Sequence, residues 1–349
     1  MLHNRRRKPH SLVSQITERK RKRVTLIAAF KCDQGVVICA DTKETISIPH
    51  QGEYRVRVTK IKPQSAGEYD IVIGGAGDAH LVDGFSRKLV SEIAGWQPSL
   101  DDESIETRIT SLAMDYHSTH VALAYHGHPP DPLNFLLCIK RKNDPNILLW
   151  ELRDTVIIPT EGYSLLGWEE AIYEYEVKWL YREGLRISQA ALLGIRLFAM
   201  AKETSNYIGG DTQLIVVTAS GMEAVDQEQV NTLEDRVETF NNAMARLVLG
   251  LPDTSIDQQE FANYLTEFRR LALNTRESYI GEWRGRSLYR AIFDPTWKGD
   301  TVQQNPPGMR ADRTRLEDGR VMVDFSTTIN VDGYDEEDDP QEPDHTEQK

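Results

Sequence analysis

Residues 25–41 of this 349-residue chain read Thr-Leu-Ile-Ala-Ala-Phe-Lys-Cys-Asp-Gln-Gly-Val-Val-Ile-Cys-Ala-Asp and contain two short apolar runs separated by a polar linker. The linker has the length of a hairpin connection and ends in Gly35, so the two runs are predicted to form an antiparallel strand pair. Both runs are almost continuously apolar instead of alternating. We therefore expect strands that are covered on both faces, as in the middle layers of a sandwich.

The elements predicted downstream of this hairpin are clustered by type. A strand over residues 69–73 leads through Gly74-Gly75-Ala76-Gly77-Asp78-Ala79 into a helix that ends near Ile93. The pattern further predicts helices over residues 104–125, 168–182 and 188–205, and strands over residues 133–139, 146–152 and 212–219. A doubly wound parallel sheet needs strict alternation of strands and helices, so this order favours an α+β fold.

The two ends of the chain differ from its middle in composition. Residues 1–24 contain nine Lys or Arg and one Glu, whereas residues 335–349 contain eight Asp or Glu and one Lys. We expect a basic N-terminal extension over residues 1–24, a compact domain over 25–230 and a helical extension over 231–294. Residues 295–349 are expected to form an irregular region and an acidic disordered tail.

Composition and charge exclude several classes of protein. The net charge is −13, and because residues 25–334 are themselves acidic, we expect no nucleic-acid partner. A membrane span needs roughly 20 consecutive apolar residues, and the sequence contains no such run, so we expect no membrane partner. With three cysteines and no readable secretory signal, the chain is expected to be a reduced, cytoplasmic protein.

Two clusters allow a chemical as well as a structural interpretation. The run Gly74-Gly75-Ala76-Gly77 lacks the spacing of nucleotide-binding motifs, and it is compatible with a tight turn that packs a helix on a sheet, with an oxyanion hole or with a phosphate site. Four histidines lie within twelve residues without a nearby cysteine, so a helix end and an exposed loop are favoured over a metal site; they are His117, His120, His126 and His128. We expect neither a metal nor a cofactor.

The stretch from Thr25 to Lys43 resembles the opening of a proteasome β-type subunit, and the chain is similar to the bacterial proteasome-like members of the N-terminal-nucleophile hydrolase family. It has a threonine where the family has its nucleophile and an aspartate, Asp41, at the end of the hairpin. Lys60 falls where the family has its active-site lysine, after a few inserted residues around 48–53. Residues 74–79, 163–167 and 206–211 resemble later turns and strands of the family.

The resemblance implies a four-layer αββα sandwich over residues 25–230 and a threonine-type endopeptidase. Thr25 would be the nucleophile, its freed α-amino group would be the base, and residues 1–24 would be a propeptide. Lys60 would stabilise developing negative charge, Asp41 would hold Lys60, and backbone N–H groups of Gly74 or Gly75 would form the oxyanion hole. The partners implied are a homo-oligomeric ring and a polypeptide substrate, with room for an ATPase or another regulator.

Several positions depart from the pattern of the family. Val24 precedes Thr25 where glycine usually precedes self-cleavage, and Trp168 follows Gly167 where the family has serine. Asn206 and Gly209 stand in place of a supporting aspartate and serine. Since the replaced groups support the amine and the self-cleavage step, the alternative function is that of a non-catalytic ring or scaffold subunit.

Overall fold

The elements of the fold are taken from a computed structural model that describes residues 25–48, 52–122, 133–167, 170–284, 309–315 and 321–327. The chain divides into two units, Met1–Pro295 and Thr296–Lys349. The strands described in the first unit are β1 (Leu26–Cys32), β2 (Gly35–Asp41), β3 (Lys43–Ile48), β4 (Gly52–Arg57), β5 (Ile61–Ala66), β6 (Tyr69–Ala76), β7 (Asn134–Arg141), β8 (Ile147–Arg153), β9 (Val156–Pro159), β10 (Tyr163–Gly167), β11 (Thr212–Thr218) and β12 (Gly221–Ala224). The helices are α1 (Ala79–Ala94), α2 (Asp102–Tyr116), α3 (Glu170–Leu180), α4 (Ile187–Thr204), α5 (Gln227–Gly250) and α6 (Gln258–Arg284).

Two five-stranded antiparallel sheets form the centre of the first unit. Sheet 1 has the strand order β10-β1-β2-β11-β12, and sheet 2 has the order β5-β6-β7-β8-β9. The predicted hairpin is confirmed, because β1 and β2 pair from Ile27↔Ala40 to Cys32↔Gly35. The predicted α+β class is confirmed at the level of mixed helices and antiparallel sheets.

The apolar residues of β1 and β2 divide between the two faces of sheet 1. Leu26, Ala28 and Phe30 pack against helices α3, α4 and α5. Their neighbours Ile27 and Ala29 pack against sheet 2, together with residues such as Val72 and Leu136. Side chains of a strand alternate between faces, so a strand that is covered twice must be apolar at every position. This explains the unbroken apolar runs.

The outer face of sheet 2 packs against the first two helices. Phe85 and Leu89 of α1 and Ile109 of α2 are fully buried against β6 and β7, where Phe135 lies at the centre. Helix α1 begins directly after the glycine-rich stretch, because the Asp78 carboxylate accepts hydrogen bonds from the His80 and Leu81 N–H groups at 2.9 and 3.4 Å. Such a side-chain cap satisfies N–H groups that have no partner within the helix.

Some elements differ from the sequence-based expectation. Ile48, Gly52 and Glu53 of the expected short insertion belong to the β3–β4 hairpin, in which Lys43 pairs with Arg57. The expected helical extension begins earlier than residue 231, because α5 starts at Gln227 and buries Val230, Leu233 and Val237 against sheet 1. The sequence of α5 is rich in polar residues and has helical periodicity, as an appended helix would have. Its periodicity does not show that its first turns pack against sheet 1, because that packing depends on the tertiary structure.

The second unit contains the strands β13 (Met309–Arg315) and β14 (Val321–Thr327), which pair antiparallel over their whole length. The expectation of an irregular region from residue 295 missed this hairpin. The reason is that β13 contains three arginines and an aspartate, so it lacks the apolar run by which strands are recognised. Within the described part of the chain, no helix combines the length and the apolar character that crossing a bilayer requires.

Leu136→Ala should lower the free energy of unfolding by about 2–5 kcal/mol, because this fully buried side chain fills the space between the two sheets and its loss leaves a cavity. The measurement is urea unfolding monitored by circular dichroism. Leu249→Ala is the matched control, since Leu249 is 72% exposed on α5. Equal midpoints for the two variants would contradict the packing described for this layer.

Candidate functional site

Asp41 is a fully buried carboxylate at the end of β2, and several chain segments meet at it. Its Oδ1 accepts hydrogen bonds from the Leu26 N–H at 3.1 Å and from the Lys60 Nζ at 2.7 Å. Its Oδ2 accepts from the N–H groups of Lys43 and Gly209 at 3.2 and 3.4 Å. Burying a carboxylate costs several kcal/mol unless charge and hydrogen bonds compensate it, and here both do.

Lys60 precedes β5 and enters the site from the edge of sheet 2. Its side chain is 7% exposed, and its ammonium forms an ion pair with Asp41. Burial lowers the pKa of Lys60 below that of an ordinary lysine, and the nearby Asp41 carboxylate opposes this shift. Since the pair is buried, its attraction is screened little by solvent, and it holds the ammonium at a defined point beside β1.

Thr25 lies directly before β1, one residue from the Leu26 N–H that binds Asp41. Asp41 Oδ1 therefore connects the Lys60 ammonium to the peptide group that follows Thr25. Gly167, the last residue of β10, pairs with Leu26 of β1 and so lies next to Thr25. A side chain at Gly167 would collide with the Thr25 carbonyl, because its Cβ would lie 1.7 Å from that oxygen.

Gly74 and Gly75 lie in strand β6 and not in the turn that follows it. Gly74 pairs with Ile61 of β5, and this is the last pair between the two strands, so Gly75 lies beyond it on the side of Lys60. A Cβ on Gly75 would lie 2.4 Å from Val82 Cγ1 of α1. The absence of a side chain thus lets α1 approach the sheet, which agrees with the packing interpretation of the glycine run.

A cleft of about 340 Å³ opens beside these residues. Lys60 and Gly75 are among its lining residues, and α1 contributes Val82, Ser86 and Arg87. The cleft therefore gives solvent and ligands access to the end of β6 and to the neighbourhood of the buried ion pair. Most of its lining is polar or charged, and Ile73 and Val82 are the two apolar side chains among the lining residues.

The loop before β11 closes the site on the side of β2. The Thr42 N–H donates to the Asp211 carbonyl at 3.0 Å, and the Asp211 N–H donates to Thr42 Oγ1 at 2.7 Å. The Lys43 ammonium donates to the backbone carbonyl of Asn206. Asn206 and Gly209, which replace the supporting aspartate and serine of the resembled pattern, therefore lie in a loop that touches Asp41 and Lys43. Trp168 lies outside the described residues.

Two contributors to the site were missed by sequence reasoning. Gln213 of β11 accepts a hydrogen bond from the Lys60 N–H at 2.7 Å, and Lys43 connects Asp41 to the loop at Asn206. Gln213 is separated from Lys60 by 153 positions, so no local pattern could indicate the contact. For Lys43, the only available signal was its position two residues after the aspartate.

The histidine cluster does not join this site within the described residues. His117 and His120 belong to a π-helical turn over His117–Val121, and the His120 ring packs on Tyr116 with centroids 4.6 Å apart. His126 and His128 lie outside the described residues. Among the residues that the structure describes, no group of three potential ligands is arranged to hold a metal ion.

Solved structures of Anbu share the fold of this chain. Anbu from Yersinia bercovieri, described as an ancestral beta-subunit, has a TM-score of 0.52 and 12% identity, covering 66% of this chain and 98% of that chain. The Anbu complex from Pseudomonas aeruginosa, described as a helical assembly, has a TM-score of 0.54 and 14% identity, covering 67% and 100%. A Gly-1 mutant of Anbu from Hyphomicrobium sp. strain MC1 has a TM-score of 0.52 and 14% identity, covering 66% and 98%.

No family model matches the chain, and no curated protein matches it either. The identification as a proteasome β-type subunit, made from the sequence, is therefore wrong, because the similar structures are those of Anbu. The error has a physical reason. A doubly covered apolar hairpin is required by the sandwich core, so the motif indicates the fold and does not identify the family.

Asp41→Ala should lower the free energy of unfolding by about 3–5 kcal/mol, because it leaves the Lys60 ammonium buried without a counter-ion. Adding Lys60→Met to Asp41→Ala should recover part of that loss, since the unpaired charge is then gone. Denaturant unfolding of both single variants and the double variant measures the coupling. Glu174→Ala is the control, because it breaks the exposed Lys178–Glu174 pair and should change stability little. Strictly additive effects of the two site substitutions would rule out the coupling.

Proposed function

We propose that this chain is a threonine-nucleophile peptidase built on a proteasome-like fold, with Thr25 as its nucleophile. The observation that carries the proposal is the buried Asp41–Lys60 ion pair at 2.7 Å, which shares Asp41 Oδ1 with the N–H that follows Thr25. Burial lowers the pKa of Lys60, which lies near the start of the strand that follows Thr25. Lysines with a lowered pKa are often found at catalytic sites. The arrangement also uses the residues that the resemblance assigned to catalysis.

Each group has a role in the proposed reaction. The freed α-amino group of Thr25 takes the hydroxyl proton, directly or through a water, and its ordinary pKa near 8 suits this task. The Thr25 hydroxyl oxygen attacks the peptide carbonyl of the substrate, and the Lys60 ammonium stabilises the negative charge that develops. The C–N bond then breaks as the protonated α-amine gives its proton to the leaving nitrogen, and a water molecule hydrolyses the resulting Thr25 ester, which releases the carboxylic acid and restores the hydroxyl. We assign the oxyanion hole to backbone N–H groups of Gly74 or Gly75. Gly75 is favoured because it lines the cleft beyond the last β5–β6 pair.

The same layers support the four-layer αββα sandwich that the resemblance implied. Helices α3 to α5 cover sheet 1, the two sheets face each other, and α1 and α2 cover sheet 2. In this proposal, residues 1–24 are an extension that must be removed, and α6 is an appended segment. The reduced, cytoplasmic setting expected from the three cysteines remains part of the proposal, as does a polypeptide substrate.

A non-catalytic subunit is the second candidate, and one observation favours it. Gly209 offers no hydroxyl, and the Lys43 ammonium lies against the Asn206 carbonyl in the loop where the resembled pattern has an aspartate and a serine. With Thr25 in a peptide bond, moreover, its nitrogen is an amide and cannot act as the base. The two candidates therefore differ in whether a free Thr25 amine creates activity.

A chain that begins at Thr25 should hydrolyse peptides, whereas the chain that begins at Met1 should be inert. The new amine supplies the base, so Thr25→Ala should abolish turnover and Lys60→Met should lower kcat by at least about 10²-fold. The measurement is turnover of a panel of fluorogenic peptides with apolar, acidic and basic residues before the scissile bond. Thr107→Ala and Lys142→Met, at exposed positions away from the site, are the matched controls and should keep full activity. A folded but inactive chain beginning at Thr25 would favour the non-catalytic subunit.

We also propose that the chain forms homo-oligomers, a ring being the arrangement implied by the resemblance. Helix α3 presents Ile172, Tyr175 and Trp179 on one face with exposures of 62%, 78% and 58%. Exposed apolar stripes of this kind are typical of interaction surfaces. The helical assembly described for Pseudomonas aeruginosa Anbu supports self-association on the same fold. An ATPase or another regulator would be a further partner.

Light scattering at micromolar concentration should give the mass of a multimer. Replacing two members of the α3 stripe, Tyr175→Glu and Trp179→Glu, should reduce that mass, because charges would be buried at the contact. Thr107→Glu adds a charge at an exposed position of α2 and should leave the mass unchanged. A monomeric mass for the unmodified chain would contradict self-association.

A further inference from the structure

Lys60 is held at both of its ends by residues of sheet 1. Its ammonium contacts Asp41 at the end of β2, and its backbone N–H donates to Gln213 Oε1 of β11 at 2.7 Å. The Gln213 amide makes two further, longer contacts, accepting from the Ile61 N–H and donating to the Ile61 carbonyl, both at 3.4 Å. Gln213 therefore binds the point at which the chain enters sheet 2.

The position of Gln213 in sheet 1 is fixed by the site itself. In the register of β2 and β11, Gln213 pairs with Ala40 and its neighbour Thr212 pairs with Asp41. Gln213 is thus anchored one pair away from the carboxylate that receives the ammonium. Thr212 is anchored in turn, because its hydroxyl donates to Glu234 of α5, which also forms an ion pair with Lys202.

Gln213 is a polar residue in a strand that is otherwise mostly apolar. The residues that follow it in β11 are buried and apolar, from Leu214 to Val217. A side-chain amide that bridges two sheets provides an acceptor for a backbone N–H at a strand start, where the β5–β6 ladder has only just begun. The length of the side chain sets the distance between β11 and the backbone of Lys60.

We propose that Gln213 is a positioning residue for Lys60: by fixing the backbone at Lys60 it holds the ammonium on Asp41 and beside Thr25. The inference rests on the proposed peptidase function, and it adds a residue to which the resemblance assigns no role. Gln213 does not touch the reacting atoms in this account. It acts through Lys60, because without the Gln213 contact the backbone at Lys60 can shift and carry the ammonium away from Asp41 and Thr25.

The kinetic test uses the chain that begins at Thr25 and two substitutions of Gln213. Gln213→Met keeps the length of the side chain and removes the acceptor, so kcat should fall about 10–100-fold with KM within about twofold, as expected for a misplaced catalytic group. Gln213→Glu keeps the acceptor, so kcat of this variant should lie within about threefold of the value for the chain with Gln213. The substitution should also move the alkaline limb of the pH profile upward, because a carboxylate beside Lys60 stabilises the ammonium.

The control is Gln189→Met, which removes a glutamine Oε1 that accepts the Arg186 N–H at 3.0 Å at the start of α4. It makes the same chemical change at a backbone donor outside the site, so kcat should be unchanged. If Gln213→Met matches Gln189→Met in kcat, or raises only KM, the proposal is overturned. If Gln213→Met does not fold, Gln213→Asn, whose side chain is one methylene too short to reach Lys60, is measured in its place.

A second measurement does not depend on turnover. Competitive acetylation of the full-length chain as a function of pH reports the titration of the Lys60 amine, whose charged neighbours are Asp41, Glu44 and Lys43. In Gln213→Met we expect the titration to move towards that of an exposed lysine, because Lys60 is no longer held in its buried position. An unmoved titration would overturn the inference. If the chain beginning at Thr25 is inactive, the proposed function fails while this labelling still decides the role of Gln213.

Discussion

A carboxylate that loses all contact with water must be compensated by charge and by hydrogen bonds, and Asp41 imposes this constraint on everything around it. Four segments satisfy it: the start of β1, the residues after β2, the loop before β11 and the lysine that precedes β5. These segments come from both sheets. The buried ion pair therefore fixes the position of Lys60, at the edge of sheet 2, relative to Thr25. Solvent screens the attraction between the two charges little, because both are buried.

The packing of the two sheets makes this arrangement possible. Because β1 and β2 are apolar on both faces, they form a rigid centre from which only their ends reach polar surroundings. Glycine is required where backbone and neighbours come closest, at Gly167 beside the Thr25 carbonyl and at Gly75 beside Val82. The catalytic proposal therefore places its groups at strand ends on a packed scaffold, where small displacements are resisted.

The sequence predicts local features well and distant contacts poorly. The continuous apolar runs of β1 and β2 predicted a doubly covered hairpin, and the order of strands and helices predicted the mixed antiparallel class. The β3–β4 hairpin was missed because polar and apolar residues alternate in its strands, which lack the continuous apolar runs of β1 and β2. Helix α5 was placed too late because its buried first turns are fixed by packing against sheet 1. Gln213 could not be predicted, since only the folded chain brings it to Lys60. The motif at residues 25–41 indicated the fold but not the family, because any strand pair that is covered on both faces needs such continuous apolar runs.

In the proposed enzyme, Thr25 becomes an activated nucleophile beside the Asp41–Lys60 pair once its amine is free. The most direct measurement is intact-mass and peptide mass spectrometry of the folded chain beginning at Thr25 after exposure to a threonine-directed electrophile, with the chain beginning at Met1 treated in parallel. We expect one adduct per chain, located on Thr25, in the shortened chain and in its Lys142→Met variant, and none in the longer chain or in the shortened chain with Lys60→Met. A shortened, folded chain without an adduct on Thr25, or one labelled equally well without Lys60, would contradict this expectation.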